Sequence, residues 1–346
     1  MVKDQIITED FAAYNGDCMH VLPTLSDNSI DLSVYSPPFA GLYNYSSHEN
    51  DFSNCENKDQ FLQQYEFLIT EMARVTKPGR INAVHCTDIM GKDGDLFDLP
   101  GEIKKLHQKH GFQWRNTITI WKEPLKVRMR TMVKSLMHKL IVEDSTECFT
   151  AMPDYLLIFK KRGKCEVPVT HPVGLTEYFG ATPLLPNMLQ AIKEENQKLI
   201  SDGNGDYDFD LIPETWEALK KKYEGHKDPK TNKLSHYIWQ RYASSVWDDI
   251  RIDNVLPFRD GKDEDDEKHV HPLQLDVIDR IVELYSNPGE VVLTPFAGVG
   301  SEVFSPVSLG RKAIGIELKE SYFKQLGLNM KEAKTRFKRA QQAELF

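Results

Sequence analysis

Ser36-Pro37-Pro38-Phe39 follows an apolar run, 29–35, that reads as a β-strand. Proline has no N–H to give a ladder, so the strand stops there. Two prolines in succession stiffen the chain and leave carbonyl oxygens without local donors. A serine hydroxyl beside the Pro37 carbonyl makes a pair of acceptors that can take both hydrogens of an amino group. Phe39 offers a face on which a flat ring can stack. A bare Ser-Pro-Pro also serves as a turn or polyproline segment. Two things argue for chemistry: its place at a strand end, where ligands of open α/β sheets bind, and a second stretch far along the chain. Thr294-Pro295-Phe296-Ala297-Gly298-Val299-Gly300 follows the strand candidate 290–293. Its glycines let the backbone turn tightly and approach a ligand with no Cβ in the way. About 19 residues later Glu317 closes the next strand candidate, 312–317. Strand, glycine turn, helix, strand and acid make a nucleotide-binding layout, the acid accepting from ribose hydroxyls. Val303 stands where a dinucleotide fingerprint has its third glycine, which disfavours a NAD-dependent oxidoreductase and leaves a nucleoside without a pyrophosphate.

The elements that must position these stretches alternate. Apolar residues at helical spacing run over 61–75 and stop at Lys77-Pro78-Gly79. Strand candidates follow at 81–86, 116–121 and 155–160, with a helix at 103–110. His85 and Cys86 end a strand and read as core or pocket wall. From 273 the pattern returns: an amphipathic helix over 275–284, the strand 290–293, a helix interrupted by Pro306, the strand 312–317 and a last helix over 321–338. Such alternation predicts an α/β domain with a largely parallel sheet. Residues 161–245 differ, with four early prolines, a Ser201-to-Asp206 loop and helical patches at 189–199 and 215–223. The organisation expected is therefore 1–160, an inserted module 161–245, and 246–346.

With 346 residues, the chain has room for about two domains or one elaborated α/β unit. Its 40% hydrophobic and 27% charged residues suit a globular protein with a core and exclude collagenous or mostly disordered classes. No apolar run reaches the roughly 18 residues of a membrane span, and the first residues lack a secretory apolar stretch. The five cysteines are widely spaced, and no metal cluster is visible. A reducing, cytoplasmic location is expected. The net charge of −9 argues against indiscriminate polyanion binding. Residues 101–140 reverse it locally, with ten Lys/Arg against two acids. Arg128, Arg130 and Lys134 in the densest part are candidates for phosphate contact; a solvated surface face is the plain alternative. The acidic run 260–267 reads as an exposed loop.

Taken together, the two stretches resemble the amino-methyltransferases of DNA, which use S-adenosylmethionine (SAM). The tetrapeptide precedes the Phe-x-Gly-x-Gly stretch, an order similar to the permuted beta class of that family. Asn15-Gly16-Asp17-Cys18 resembles the family's segment beside the cofactor adenine. His269-Val270-His271-Pro272 resembles the opening of the cofactor half, and Ile314-Gly315-Ile316-Glu317 resembles the ribose-binding acid. The resemblance covers 10–160 and 246–330. It implies a Rossmann-like methyltransferase sheet with helices on both faces, plus an inserted target-recognition module. It implies SAM as cofactor, held by Asp17, Cys18, His271, Pro272, Thr294, Pro295, Phe296, Gly298, Gly300 and Glu317. Catalysis falls to Ser36, Pro37, Pro38 and Phe39. Thr294 stands where the family usually has Asp, supplying a hydroxyl without the charge that would pair with the SAM ammonium.

The partner implied is double-stranded DNA, with a cognate restriction endonuclease as a further one; monomer and homodimer both stay open. Ser at the head of the tetrapeptide leans towards cytosine N4, with adenine N6 as the alternative. An RNA or protein amino-methyltransferase and a catalytically inactive nucleic-acid binder are the other readings.

Overall fold

A computed structural model describes residues 2–38, 55, 58–90, 95–131, 133–181, 220–223, 225–228, 230–261 and 272–344. They divide into one unit made of Met1–Val169 with Ile252–Phe346 and a second made of Thr170–Arg251. The helical patch expected at 189–199 and the loop at 201–206 lie outside the described residues.

The first unit is built on a sheet. Its strands are β1 (Asp4–Ile7), β2 (Phe11–Asn15), β3 (Ile30–Tyr35), β4 (Thr76–Cys86), β5 (Phe112–Ile120), β6 (Asp154–Lys161), β7 (Val291–Thr294) and β8 (Lys312–Glu317). They lie in the order β1-β2-β8-β7-β3-β4-β6-β5. The middle five run parallel, whereas β1, β6 and β5 are antiparallel to their neighbours. Every residue of β3 is buried, as a central parallel strand requires. β4 starts five residues before the expected 81: the register jumps from Ile30 opposite Thr76 to Leu32 opposite Ile81, and the bulged residues between absorb Pro78.

The helices of this unit include α1 (Cys18–Val21), α2 (Lys58–Val75), α3 (Leu99–Lys109), α4 (Pro124–Thr131) and α5 (His138–Glu143). In helix α2 the buried residues Phe61, Tyr65, Leu68, Ile69, Met72 and Val75 make one stripe, the face that the spacing predicts. Two apolar cores result, one with α2 and α3, the other with the helices that follow β7 and β8. Ala313 and Ile314, adjacent in β8, belong to different cores, so helices cover both faces of the sheet. At the amino ends of the strands Asp31 takes a hydrogen bond from Lys77 Nζ at 2.6 Å and from the Val291 N–H at 3.1 Å. Arg80 bridges Asp31 and Glu290. This ionic clamp fixes the edge opposite the one on which the sequence places chemistry.

His107 in α3 is fully buried, stacked on Phe159 with ring centroids 3.9 Å apart, and bonded through Nδ1 to the Ile103 carbonyl at 2.9 Å. Burial lowers its pKa from 6.5 to about 3. The folded state thus refuses a proton that the unfolded chain takes. The stability tied to neutral His107 is full above pH 6.5 and is lost as the pH falls towards 3. Going from pH 7 to pH 5 is expected to cost about 2 kcal/mol at this site. In His107→Phe that part of the change in urea midpoint should vanish; an undiminished pH dependence would contradict the assignment.

In the second unit, helix α6 (Lys233–Tyr242) is capped by Asn232, which accepts the Ser235 N–H at 3.1 Å. It buries Leu234, Ile238 and Tyr242 along one stripe. Trp247 is fully buried, whereas Trp239 is exposed on the other side of the helix. Back in the first unit come α7 (Leu275–Tyr285), α8 (Ser301–Ser308) and α9 (Glu320–Glu344). Helix α8 runs through Pro306 to Ser308 rather than breaking at it.

Candidate active site

β3 and β7 are parallel neighbours, with Val292 opposite Leu32 and Leu293 opposite Ser33. Both strands therefore end at one edge, and the chain leaves them there as Ser36-Pro37-Pro38 and Pro295-Phe296. The rings of Tyr35 and Phe296 meet across this edge with centroids 6.0 Å apart. From β3 the chain crosses to β4 on one side; from β7 it crosses to β8 on the other. The crevice between two such departures is where open α/β sheets bind ligands.

On the β3 side, Ser36 is half-buried and Pro37 buried. Phe39 lies outside the described residues. Ser36 Oγ is 3.2 Å from His85 Nδ1 at the end of β4. Nε2 of the same ring is 3.2 Å from Asp154 Oδ2, where β6 begins. Lys122 Nζ completes the chain, 2.5 Å from Asp154 Oδ1. His85 and Asp154 are each only 7% exposed. Burial alone would raise the Asp154 carboxyl, but Lys122 and His85 outweigh it and hold the group well below the usual carboxylate range. His85, read from the sequence as core or pocket wall, is buried beside Ser36, and Asp154 is not among the residues singled out from the sequence. Register places His85: Tyr35 pairs with Val84, so Ser36, the residue after β3, comes level with His85 in β4.

On the β7 side, Thr294 is fully buried, and its Oγ1 takes the Phe296 N–H at 3.4 Å. Gly298 has φ +52° and Gly300 φ +99°. A Cβ on Gly300 would stand 2.8 Å from Leu326 Cγ, so that glycine lets the loop pack on α9; a Cβ on Gly298 would meet nothing within 4 Å, so that glycine faces open space. Glu317 anchors the loop from β8: Oε2 accepts the Gly298 N–H at 2.7 Å and Oε1 accepts the Lys319 N–H at 2.8 Å. The 15–18 segment is fastened to the same place, the Asn15 amide and the Gly16 N–H each donating to the Glu317 carbonyl at 2.9 Å. Asp17 caps α1 by accepting the Met19 N–H at 2.8 Å. Burial, then the Asp17 charge, push the Cys18 thiol up, so it stays neutral. Glu302, one residue into α8, is an acid not singled out in the sequence; burial and then Glu317 push its carboxyl up to about 8. Pro272 is half-buried before α7, and His271 lies outside the described residues.

The two halves of the expected site thus share one sheet edge. The basic residues are placed separately. Arg128 lies on α4, half-buried, and Lys134 is exposed beyond it; of the Arg130 side chain nothing is described. Lys122, in the same dense run, points inward to Asp154. Leu125 and Met129, one turn apart on α4, are both exposed.

A model of the N6_N4_Mtase family, described as DNA methylase, matches residues 30–327. The type II methyltransferase M.BglII of Bacillus subtilis is 25% identical over 311 residues, covering 89% of this chain and 66% of its own. The chain therefore spans just under two thirds of that relative's length. Among solved structures, the cytosine-N4-specific PvuII DNA methyltransferase superposes with a TM-score of 0.57 at 13% identity, covering 98% of this chain and 96% of the other. A protein of Thermus thermophilus assigned as a DNA modification methylase gives a TM-score of 0.54 at 20% identity, covering 96% and 95%. That protein has also been solved in complex with S-adenosyl-L-methionine. At these identities the structural likeness establishes the fold, a Rossmann-like mixed α/β sheet.

Proposed function

The chain belongs to the N6/N4 DNA methylase family, and from that premise we propose that it transfers a methyl group from SAM to the exocyclic amino group of a base in double-stranded DNA, cytosine N4 being the favoured target. The observation that carries the reading is the meeting of Ser36-Pro37 and the Gly298-Gly300 loop at one sheet edge, across the Tyr35–Phe296 contact.

The residues present suit the cofactor. Gly298 borders open space, Glu317 ends the next strand, and Phe296 is half-exposed between them. Thr294, Pro295, Phe296, Gly298, Gly300 and Glu317 would hold the methionine and ribose portions. Asp17, Cys18, His271 and Pro272 would border the adenine. Thr294 brings no charge to the ammonium. When bound, SAM supplies a methyl carbon activated by a sulfonium. The chain's own part is to bring a nucleophile to it.

An exocyclic amino nitrogen is a poor nucleophile, because its lone pair is delocalised into the ring. The target base must first leave the helix stack. Ser36 Oγ and the Pro37 carbonyl then accept the two amino hydrogens, which favours a pyramidal nitrogen and returns density to it. Phe39 holds the ring by stacking, with Pro38 stiffening the loop between. No covalent enzyme intermediate is needed, and positioning supplies most of the rate.

Arg128, Arg130 and Lys134 would contact phosphates, and the 170–251 unit would read the target sequence. A cognate endonuclease and a cytoplasmic place accord with a relative named as a type II methyltransferase. No described helix is long and apolar enough to cross a membrane.

The second reading, adenine N6, uses the same acceptor pair on a larger ring. Nucleoside mass spectrometry after incubation with SAM and unmethylated DNA separates the two. N4-methylcytosine is the expected product; N6-methyladenine would replace the base assignment. An unmethylated product from protein shown to bind SAM would sink the DNA reading.

A further inference from the structure

The His85–Asp154–Lys122 chain behind Ser36 has no role in the function proposed above; His85 and Asp154 are buried and Lys122 is half-buried. A buried ion pair and imidazole carry a desolvation cost that packing alone does not require. Their arrangement dictates which way protons point.

Asp154 is ionised, so it can only accept. The nitrogen facing it at 3.2 Å is Nε2, in an ion-pair contact not aligned as a hydrogen bond; a lone pair turned to a carboxylate at that distance is repelled, so Nε2 is the one that carries the hydrogen. Nδ1 is then left with a lone pair, and the group 3.2 Å from it is the Ser36 hydroxyl. Ser36 must donate its only hydrogen to His85. Both lone pairs of Oγ remain for the substrate amine. Without this chain a serine hydroxyl rotates freely and is as ready to donate as to accept.

We propose that His85, held by Asp154 and Lys122, is a positioning residue that fixes Ser36 as an acceptor and receives, through Ser36, the proton released by methyl transfer. This rests on the methyltransferase reading above. As the amino nitrogen bonds to the methyl carbon, the carbon–sulfur bond breaks with its electron pair going to sulfur, which becomes a neutral thioether. The nitrogen is left with one proton too many. That N–H breaks with its pair staying on nitrogen, the proton joins Ser36 Oγ, and the Ser36 hydrogen passes to His85 Nδ1. The imidazolium so formed faces the Asp154 carboxylate. Lys122 keeps Asp154 from taking the proton itself. The other titratable neighbours do not compete: burial and then Asp154 push the Cys86 thiol up, with Asp88, Asp98 and Lys104 further along that side.

Two measurements test this. In the protein without DNA or cofactor, nitrogen NMR of labelled histidine, with the His85 signal identified by its loss in His85→Asn, should show hydrogen on Nε2 and not on Nδ1. Asp154→Asn should weaken that preference. Hydrogen fixed on Nδ1 would overturn the proposal outright. In single-turnover methylation of DNA, His85→Asn, which can still bond to Ser36 but cannot take a proton, should react about 10- to 100-fold slower. The loss should fall on the rate alone, with SAM affinity by calorimetry staying within about twofold. A variant with the wild-type single-turnover rate overturns the relay. If His85→Asn does not fold, His85→Gln and Asp154→Asn carry the same comparison. Failure of the wild-type protein to methylate DNA would strike the function proposed above; the NMR result stands apart from it.

Discussion

Replacing Ser36 by alanine is expected to slow methyl transfer about 100- to 1,000-fold in single turnover, the range seen when one preorganised hydrogen-bonding group is taken from a reacting centre. The loss is in the rate and not in cofactor hold, because Ser36 leaves β3 whereas the glycine loop and its anchoring acid belong to β7 and β8. Two effects add. The amino group loses its acceptor, and His85 Nδ1 loses its partner at 3.2 Å inside the protein. SAM affinity should change by no more than about twofold, and the melting temperature should fall only slightly, since Ser36 is half-buried and makes no ladder bond. Serine replaced by aspartate, a stronger acceptor that cannot donate to His85, would separate accepting from being oriented. Turnover of Ser36→Ala within about threefold of wild type would remove Ser36 from the chemistry.

Glu317→Ala should act on the opposite side of the reaction, raising the dissociation constant for SAM about 100-fold. The carboxylate takes the Gly298 N–H at 2.7 Å and the Lys319 N–H at 2.8 Å, so it shapes the loop as well as offering oxygens to a ribose. Hydrogen bonds to charged groups contribute about 1.5–3 kcal/mol each, and about 2.7 kcal/mol corresponds to about 100-fold. Glu317→Gln keeps one acceptor and should cost about tenfold. At saturating SAM the methyl-transfer rate should recover much of its wild-type value, the reverse of the pattern for Ser36→Ala. Calorimetric titration reads the affinity directly. Wild-type binding by Glu317→Ala would show that the loop is held without this acid and that the ribose is bound elsewhere.

The two predictions differ in kind because the halves of the site are built differently. The half proposed for the cofactor is mostly backbone: glycines at positive φ, N–H groups tied to one carboxylate, a loop seated on α9 through Gly300. The half proposed for the amino group rests instead on a side chain, the Ser36 hydroxyl, 3.2 Å from His85 Nδ1. Thr294 adds to the contrast. It is buried and uncharged, and the carboxyl nearest the loop in sequence, Glu302, is pushed up to about 8 by burial and Glu317. The strand end that opens the cofactor loop therefore offers only a hydroxyl.

Much of this could be read from residue order. Proline and glycine change what the backbone can do, so Ser36-Pro37-Pro38 and Gly298-Val299-Gly300 announce themselves wherever they stand. Period-3.6 stripes found α2 and α7, and apolar runs found β3, β7 and β8, because burial on known faces imposes those repeats. The direction of β5 and β6 could not be read, since an antiparallel strand has the same apolar pattern as a parallel one. The early start of β4 was hidden by Pro78, which ends a ladder unless a bulge takes it up.

His85, Asp154 and Lys122 mark the boundary most sharply. Each is an ordinary residue at a strand end, 69 positions separating the first two, and no local pattern joins them. What joins them is register: β3, β4 and β5 end, and antiparallel β6 begins, at nearly the same level, so the side chains there meet. The amino-acid sequence by itself determined which bonds the backbone could turn through and which chemistry the strand ends could offer. Only the tertiary structure decided which buried charges stand behind Ser36, because a proton's direction depends on neighbours brought within 3.2 Å by sheet pairing, not by distance along the chain.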